Sequence, residues 1–264
     1  MSSSEGVQVL GPDGPAVDVV DGEGSARALV SPHAGARMRS MHLISLGADS
    51  RTRPQRHPDE AVYYVISGSG RVGAPGADAS EQLDEGSMVH TAPGAVYLFE
   101  AGADGLELVG GPSPPDPALY GDGSNGEPPE SAGEGGGIRT FHRDRPDVML
   151  PMIASDARLV VWLGAGARNA NMNYVSMQPG EENVPHAHQD SEDTIYIVAG
   201  RGTVEDVTHG YVLEFEAGQA IQVPPAIVHC VRANRGEPVV SVGGPCPADE
   251  AMLKAAGVLP EAAT

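Results

Sequence analysis

Apolar residues in this chain come in short runs, closed off by Gly, Pro, Asp or Asn: 41–46, 62–66, 96–99, 174–177, 195–198, 211–215 and 226–231. Runs of that length with turn residues between them read as β-strands, so an all-β barrel or sandwich is expected. A helical period shows only at 249–257, where Met252, Leu253 and Ala256 share one face and predict a short C-terminal helix.

The strand pattern occurs twice. Gly35-Ala36-Arg37, Met41 and Ser45 return as Gly166-Ala167-Arg168, Met172 and Ser176 at an offset of 131. The offset becomes 132 for Gly68 and Gly200, Gly70 and Gly202, Gly86 and Gly218, and Pro93 and Pro225. It is 133 for Gly110–Asp116 against Gly243–Asp249. One duplicated unit therefore accounts for both halves, with domains expected at 1–120 and 138–264. Between them, 121–137 is nearly all Gly, Pro, Ser, Asn and Glu, which buries too little apolar surface to offset its ordering entropy and predicts a flexible acidic linker.

Composition narrows the possible partners. The net charge is −20 and the single lysine is Lys254, so neither nucleic-acid phosphates nor an anionic membrane surface is an expected partner. The same charge disfavours polyanionic substrates, with Arg158, Arg168 and Arg201 as candidate local exceptions. Two cysteines, Cys230 and Cys246, make no disulfide framework, and the polar N-terminal stretch has no apolar leader. A soluble, reduced, cytoplasmic protein is expected.

The second half carries the chemistry. In Gly180-Glu-Glu-Asn-Val-Pro-His186-Ala-His188, the two histidines are i and i+2 on an extended segment and face the same way. Glu192 and Asp193 follow, and a third histidine, His229, comes after the turn Pro224-Pro225-Ala226. Three imidazoles with one carboxylate suit Fe(II), Mn(II), Ni(II), Cu(II) or Zn(II), and suit Mg(II) or Ca(II) poorly. The repeat aligns Glu192 with Glu60, whereas the spacing to Gly200 favours Asp193, so both stay open as ligand, the other being free for proton transfer.

These two segments, 180–200 and 218–229, resemble the two motifs of the cupin superfamily, with Ala226 where the second motif usually has Gly. The resemblance covers both halves and implies two tandem double-stranded β-helix, or jelly-roll, barrels: a bicupin. In the first half the repeat puts Gln55, His57, Glu60 and Tyr97 where His186, His188, Glu192 and His229 stand. That set predicts a metal-free barrel, or a polar pocket, paired with its sibling as an internal pseudo-dimer in a monomer or homodimer. Tyr174, Tyr196, Trp162 and Met172 are expected to line or flank the second barrel.

Cupins host many activities, so the resemblance does not choose one. Four protein ligands leave room at the ion for a small organic substrate. A non-haem Fe(II) oxygenase is the first expectation, with Glu192 or Asp193 as ligand and the other as catalytic acid–base. A redox-neutral isomerase, decarboxylase or amidohydrolase using Mn(II) or Zn(II) is the alternative. A non-catalytic metal-bound small-molecule binding protein is the third.

Overall fold

The computed structural model describes residues 6–77, 79–120 and 137–260, so the expected linker lies outside the described residues except for Gly137. The apolar runs become strands. Met41–Leu46 matches its run, while 96–99 opens an 18-residue strand, Val96–Ser113, whose polar middle hides its length from hydropathy. The run 226–231 is divided, because Ala226 sits in a turn and the strand begins at His229. The single α-helix among the described residues is Glu250–Ala255, capped by the Asp249 side chain, which accepts from the Met252 N–H. No helix among these residues is long and apolar enough to cross a membrane.

Each half is a jelly roll. In the second, strands Met172–Met177, Glu192–Ala199, Ala220–Val223 and Val239–Cys246 form one sheet, and Arg201–Asp206, Tyr211–Glu216 and His229–Ala233 form the other. Their inner faces bury Leu159, Met177, Ile197, Val204, Phe215 and Val231 in one core. In the first half, long strands Glu60–Gly73 and Val96–Ser113 run antiparallel along most of their length and enclose a second core around Tyr63, Val65, Phe99 and Leu108.

A third core joins the halves. Val30 and Val161, Met41 and Met172, Tyr64 and Tyr196, Val109 and Val242 are equivalent pairs in the repeat, and all eight are buried together. This explains the continuous apolar run at 62–66. Ala61, Tyr63 and Val65 face their own barrel, Val62 and Tyr64 face the sibling, and a strand buried on both faces has no polar side. Met172 and Tyr196, expected to line or flank the second barrel, belong to this seam.

The first strand of each half crosses over. Gln8–Leu10 pairs with Ala220–Val223, and Ile138–His142 pairs with Ser87–Thr91. Divisions at 120 and 138 therefore separate the sequence repeats but not the sheets.

Two glutamates complete the seam. Glu60 accepts hydrogen bonds from the backbone N–H groups of Arg168, Asn169 and Ala170 at 2.9, 2.7 and 2.9 Å. Reciprocally, Glu192 accepts from Arg37 and Met38 N–H at 3.1 and 2.8 Å, and from Gln222 Nε2 at 2.6 Å. The repeated Gly-Ala-Arg segments are thus the loops that hold the sibling's glutamate. Burial on its own would raise the Glu60 pKa, but the nearby His90 ring and the hydrogen bonds from the three amides outweigh it and hold the group at about 2, against an ordinary 4.5.

Glu60→Gln should weaken three charge-assisted bonds at a buried site, a loss of about 2–3 kcal/mol, or roughly 5–10 °C in Tm at neutral pH. Because the folded pKa is depressed, this stabilisation is complete above the unfolded value of 4.5 and is lost as pH falls from there toward 2. Thermal melts of both proteins across that range should converge in acid. A Tm gap independent of pH would show that the contribution is not that of the carboxylate.

Candidate metal centre

His186 and His229 are locked together by backbone bonds. His186 N–H donates to the His229 carbonyl at 3.1 Å, and His229 N–H donates to the His186 carbonyl at 2.9 Å. His188 is tied to the same turn, since its carbonyl accepts from Ala226 N–H at 2.7 Å. Three short segments distant in sequence thereby bring three imidazoles together, with donor atoms all within 4.8 Å of one another.

The outward nitrogens fix the tautomers. His186 Nδ1 lies 2.9 Å from the Val184 carbonyl and His229 Nδ1 lies 3.2 Å from that of Ile227. A carbonyl can only accept, so both Nδ1 atoms carry the proton. His188 Nδ1 meets Asp249 Oδ2 at 2.8 Å, a carboxylate–histidine pair that orients the ring. All three Nε2 lone pairs are left for the centre. His229 Nε2 and Asp193 Oδ1 are buried with no hydrogen-bond partner. Burial is costly for such atoms unless something binds them, and a cation satisfies a lone pair and a carboxylate together. The residues therefore fit a divalent transition metal.

Strand parity separates the two acids. Asp193 Oδ2 is 3.7 Å from His188 Nε2 and 3.5 Å from His229 Nε2. Burial would raise its pKa, but the proximity of His229, and then of His188 and His186, outweighs it and lowers the pKa below the ordinary carboxylate value. Burial first, and then His229, lowers the pKa of His186 and favours its neutral, ligand-ready form. Glu192 is one residue earlier on the same strand and points to the opposite face. The expectation of Glu192 as ligand or acid–base is corrected here, because both its oxygens are occupied at the seam.

The other expected residues divide similarly. Gln55 and Tyr97 are cross-strand partners, and the Tyr97 hydroxyl is 2.7 Å from that of Tyr63. His57 keeps its carboxylate partner, with Nδ1 2.8 Å from Asp116 Oδ2. Glu60 faces the seam and not the Gln55–His57–Tyr97 interior. Trp162 is in the second barrel's core, its Nε1–H donating to Asp147, and Tyr174 lies under the guanidinium groups of Arg143 and Arg158. Cys230 is buried and its thiol donates to the Asn183 carbonyl. Asp249 escaped the sequence reading. Its signal was the match of Asp116 with Asp249 at the close of the repeat, since both carboxylates hold the equivalent histidine.

The motif departure at Ala226 is also legible. Ala226 has φ 65°, and its repeat equivalent Gly94 has φ 75°. A Cβ in this region costs about 1–2 kcal/mol, partly offset by the smaller unfolded-state entropy of alanine. Ala226→Gly should therefore stabilise the protein by about 0.5–1 kcal/mol in urea denaturation, and a destabilised variant would contradict the strain.

Metal content after purification should fall below a tenth of stoichiometric in His229→Ala and drop strongly in Asp193→Ala. In Glu192→Ala it should persist while Tm falls. Loss of metal in Glu192→Ala with an unchanged Tm would reverse the assignment of the two acids.

Comparison with known proteins agrees with this architecture. Residues 173–242 match the family model described as Cupin domain. No curated protein sequence matches the chain. An oxalate decarboxylase from Lactobacillus farciminis in complex with formate superposes with a TM-score of 0.71 at 16% identity, covering 94% of this chain and 88% of that one. A mutant of Bacillus subtilis oxalate decarboxylase gives 0.71 at 16% identity, covering 94% and 78%. The Bacillus subtilis enzyme at pH 4.6 gives 0.69 at 15% identity, covering 99% and 85%. With a Cupin domain at 173–242 and two jelly rolls related by an internal repeat, this chain contains a cupin domain and has the fold of a bicupin.

Proposed function

We propose that the C-terminal barrel is a metal-dependent enzyme site for a small organic acid, and that its chemistry is redox-neutral, of the decarboxylase type. The observation that carries this reading is the convergence of three Nε2 lone pairs and the Asp193 carboxylate beside a surface cleft that His186, His188 and Asp193 line. The cleft has a cavity volume of about 70 Å³, room for several waters or one small organic acid. Whole-chain likeness to oxalate decarboxylases moves the preference from the Fe(II) oxygenase expected first to the redox-neutral alternative with Mn(II) or Zn(II).

A bound divalent ion would supply Lewis-acid polarisation of a substrate carboxylate or carbonyl oxygen. His186, His188, His229 and Asp193 would hold it, and Asp249 would fix the His188 ring. Asp193, committed to the centre, is the only carboxylate among the described residues lining the cleft. Protons consumed in the reaction would therefore come from water at the mouth, while the aliphatic walls keep the interior poor in water.

An oxygenase remains the second reading, because the same donors suit Fe(II) and apolar walls admit dioxygen. The two are separated by loading the protein with Mn(II), Zn(II) or Fe(II) and following carbon dioxide release from oxalate and 2-oxo acids under nitrogen and in air. Turnover under nitrogen that scales with metal occupancy is expected. Turnover that stops without oxygen would assign the oxygenase, and no turnover with any metal would leave the non-catalytic binding role.

A further inference from the structure

Among the described residues the cleft has no free cation. Its walls are largely apolar, with Leu159, Val175, Ile195, Val231 and Met252 among them. Arg158 is the one Lys or Arg among the described residues lining it, and its guanidinium is already engaged. Nε and Nη2 donate to the two oxygens of Asp156 at 2.7 and 2.8 Å. Nη1 donates to Asp144 and to the Arg143 carbonyl, each at 3.0 Å. Its flat face covers Tyr174, 4.9 Å from the ring centre. Turning it toward a ligand would break two ion pairs. Of the other arginines considered from sequence, Arg168 lies at the seam and Arg201 pairs with Glu237 on the surface.

Polarity beyond the metal donors is neutral. Asn173 is buried beside the cleft and its amide oxygen has no hydrogen-bond partner. Gly244 keeps room for that amide, since a Cβ there would come within 2.6 Å of Asn173 Nδ2. Ser241, also on the lining, adds a hydroxyl.

We propose that this site selects a monocarboxylate with a metal-chelating head and an uncharged, mainly apolar tail, and that it discriminates against dicarboxylates. This rests on the metal-dependent reading above. A second carboxylate would leave water for an aliphatic wall without a cation to receive it, whereas a branched or aromatic tail buries apolar surface there. The site thus differs in substrate class from an oxalate-processing one while keeping a decarboxylase-like fold.

The test uses the full-length protein loaded with Co(II), read by its visible absorption spectrum and not by turnover. Two ligands with the same chelating head are compared: 4-methyl-2-oxopentanoate, with a branched aliphatic tail, and 2-oxoglutarate, with a second carboxylate. The aliphatic acid is expected to bind at least tenfold tighter. Met252→Lys, which adds a cation at the cleft, should narrow that ratio at least fivefold with Co(II) loading unchanged. Equal or tighter binding of 2-oxoglutarate by the unmodified protein, or no spectral response to either acid, would overturn the proposed selectivity while leaving the metal reading intact. An unchanged ratio in Met252→Lys would remove the charge argument and overturn it too. Failure to take up Co(II) would instead overturn the metal reading, and this inference with it.

Discussion

Each barrel buries a glutamate that accepts hydrogen bonds from backbone N–H groups of its sibling. Glu60 takes three backbone N–H groups from the second half, and Glu192 takes two from the first. A buried carboxylate without such partners is strongly disfavoured, so neither half is complete alone. The exchanged first strands and the shared apolar seam extend the same dependence. The repeat is therefore a closed pseudo-dimer with self-complementary contacts, in which each half supplies both the loop and the glutamate.

This seam reaches the metal centre through one strand. Along Glu192–Ala199, Glu192 and Tyr196 face the sibling barrel, while Asp193, Ile195 and Ile197 face the interior of their own. Holding Glu192 at the seam sets the parity that puts Asp193 beside His188 and His229. Adjacent acids thus carry unrelated duties because a strand has two faces. The opposing loop is set by the reciprocal backbone bonds of His186 and His229, so the imidazoles rest on backbone geometry and not on side-chain packing alone.

The halves have diverged inside while keeping the joint. His57 with Asp116 repeats His188 with Asp249 at the same 2.8 Å, yet Tyr97 stands where His229 does and bonds Tyr63. His42, whose repeat equivalent is Asn173, bonds Tyr120 at 2.7 Å, and burial followed by the proximity of His57 lowers its pKa to about 3. The interior of the first barrel is thus filled by a histidine–tyrosine network. In the second, the equivalent space opens as the apolar cleft beside the donors.

Much was legible from sequence because it depends on local pattern. Short apolar runs between turn residues meant strands, the offset of about 131 meant two barrels, and His-x-His with a distant Pro-turn histidine meant three convergent imidazoles. Even Asp249 was implicit in the repeat. The identity of the acid was not, because alternation shows that Glu192 and Asp193 point opposite ways without showing which face is inside. Only the tertiary structure decided that, since the outward face of this strand is buried against a second barrel and a charged residue there is as well satisfied as one beside the three imidazoles. The crossing of the first strands and the saturation of Arg158 were invisible for the same reason: both depend on contacts between segments far apart in sequence, which no local pattern encodes.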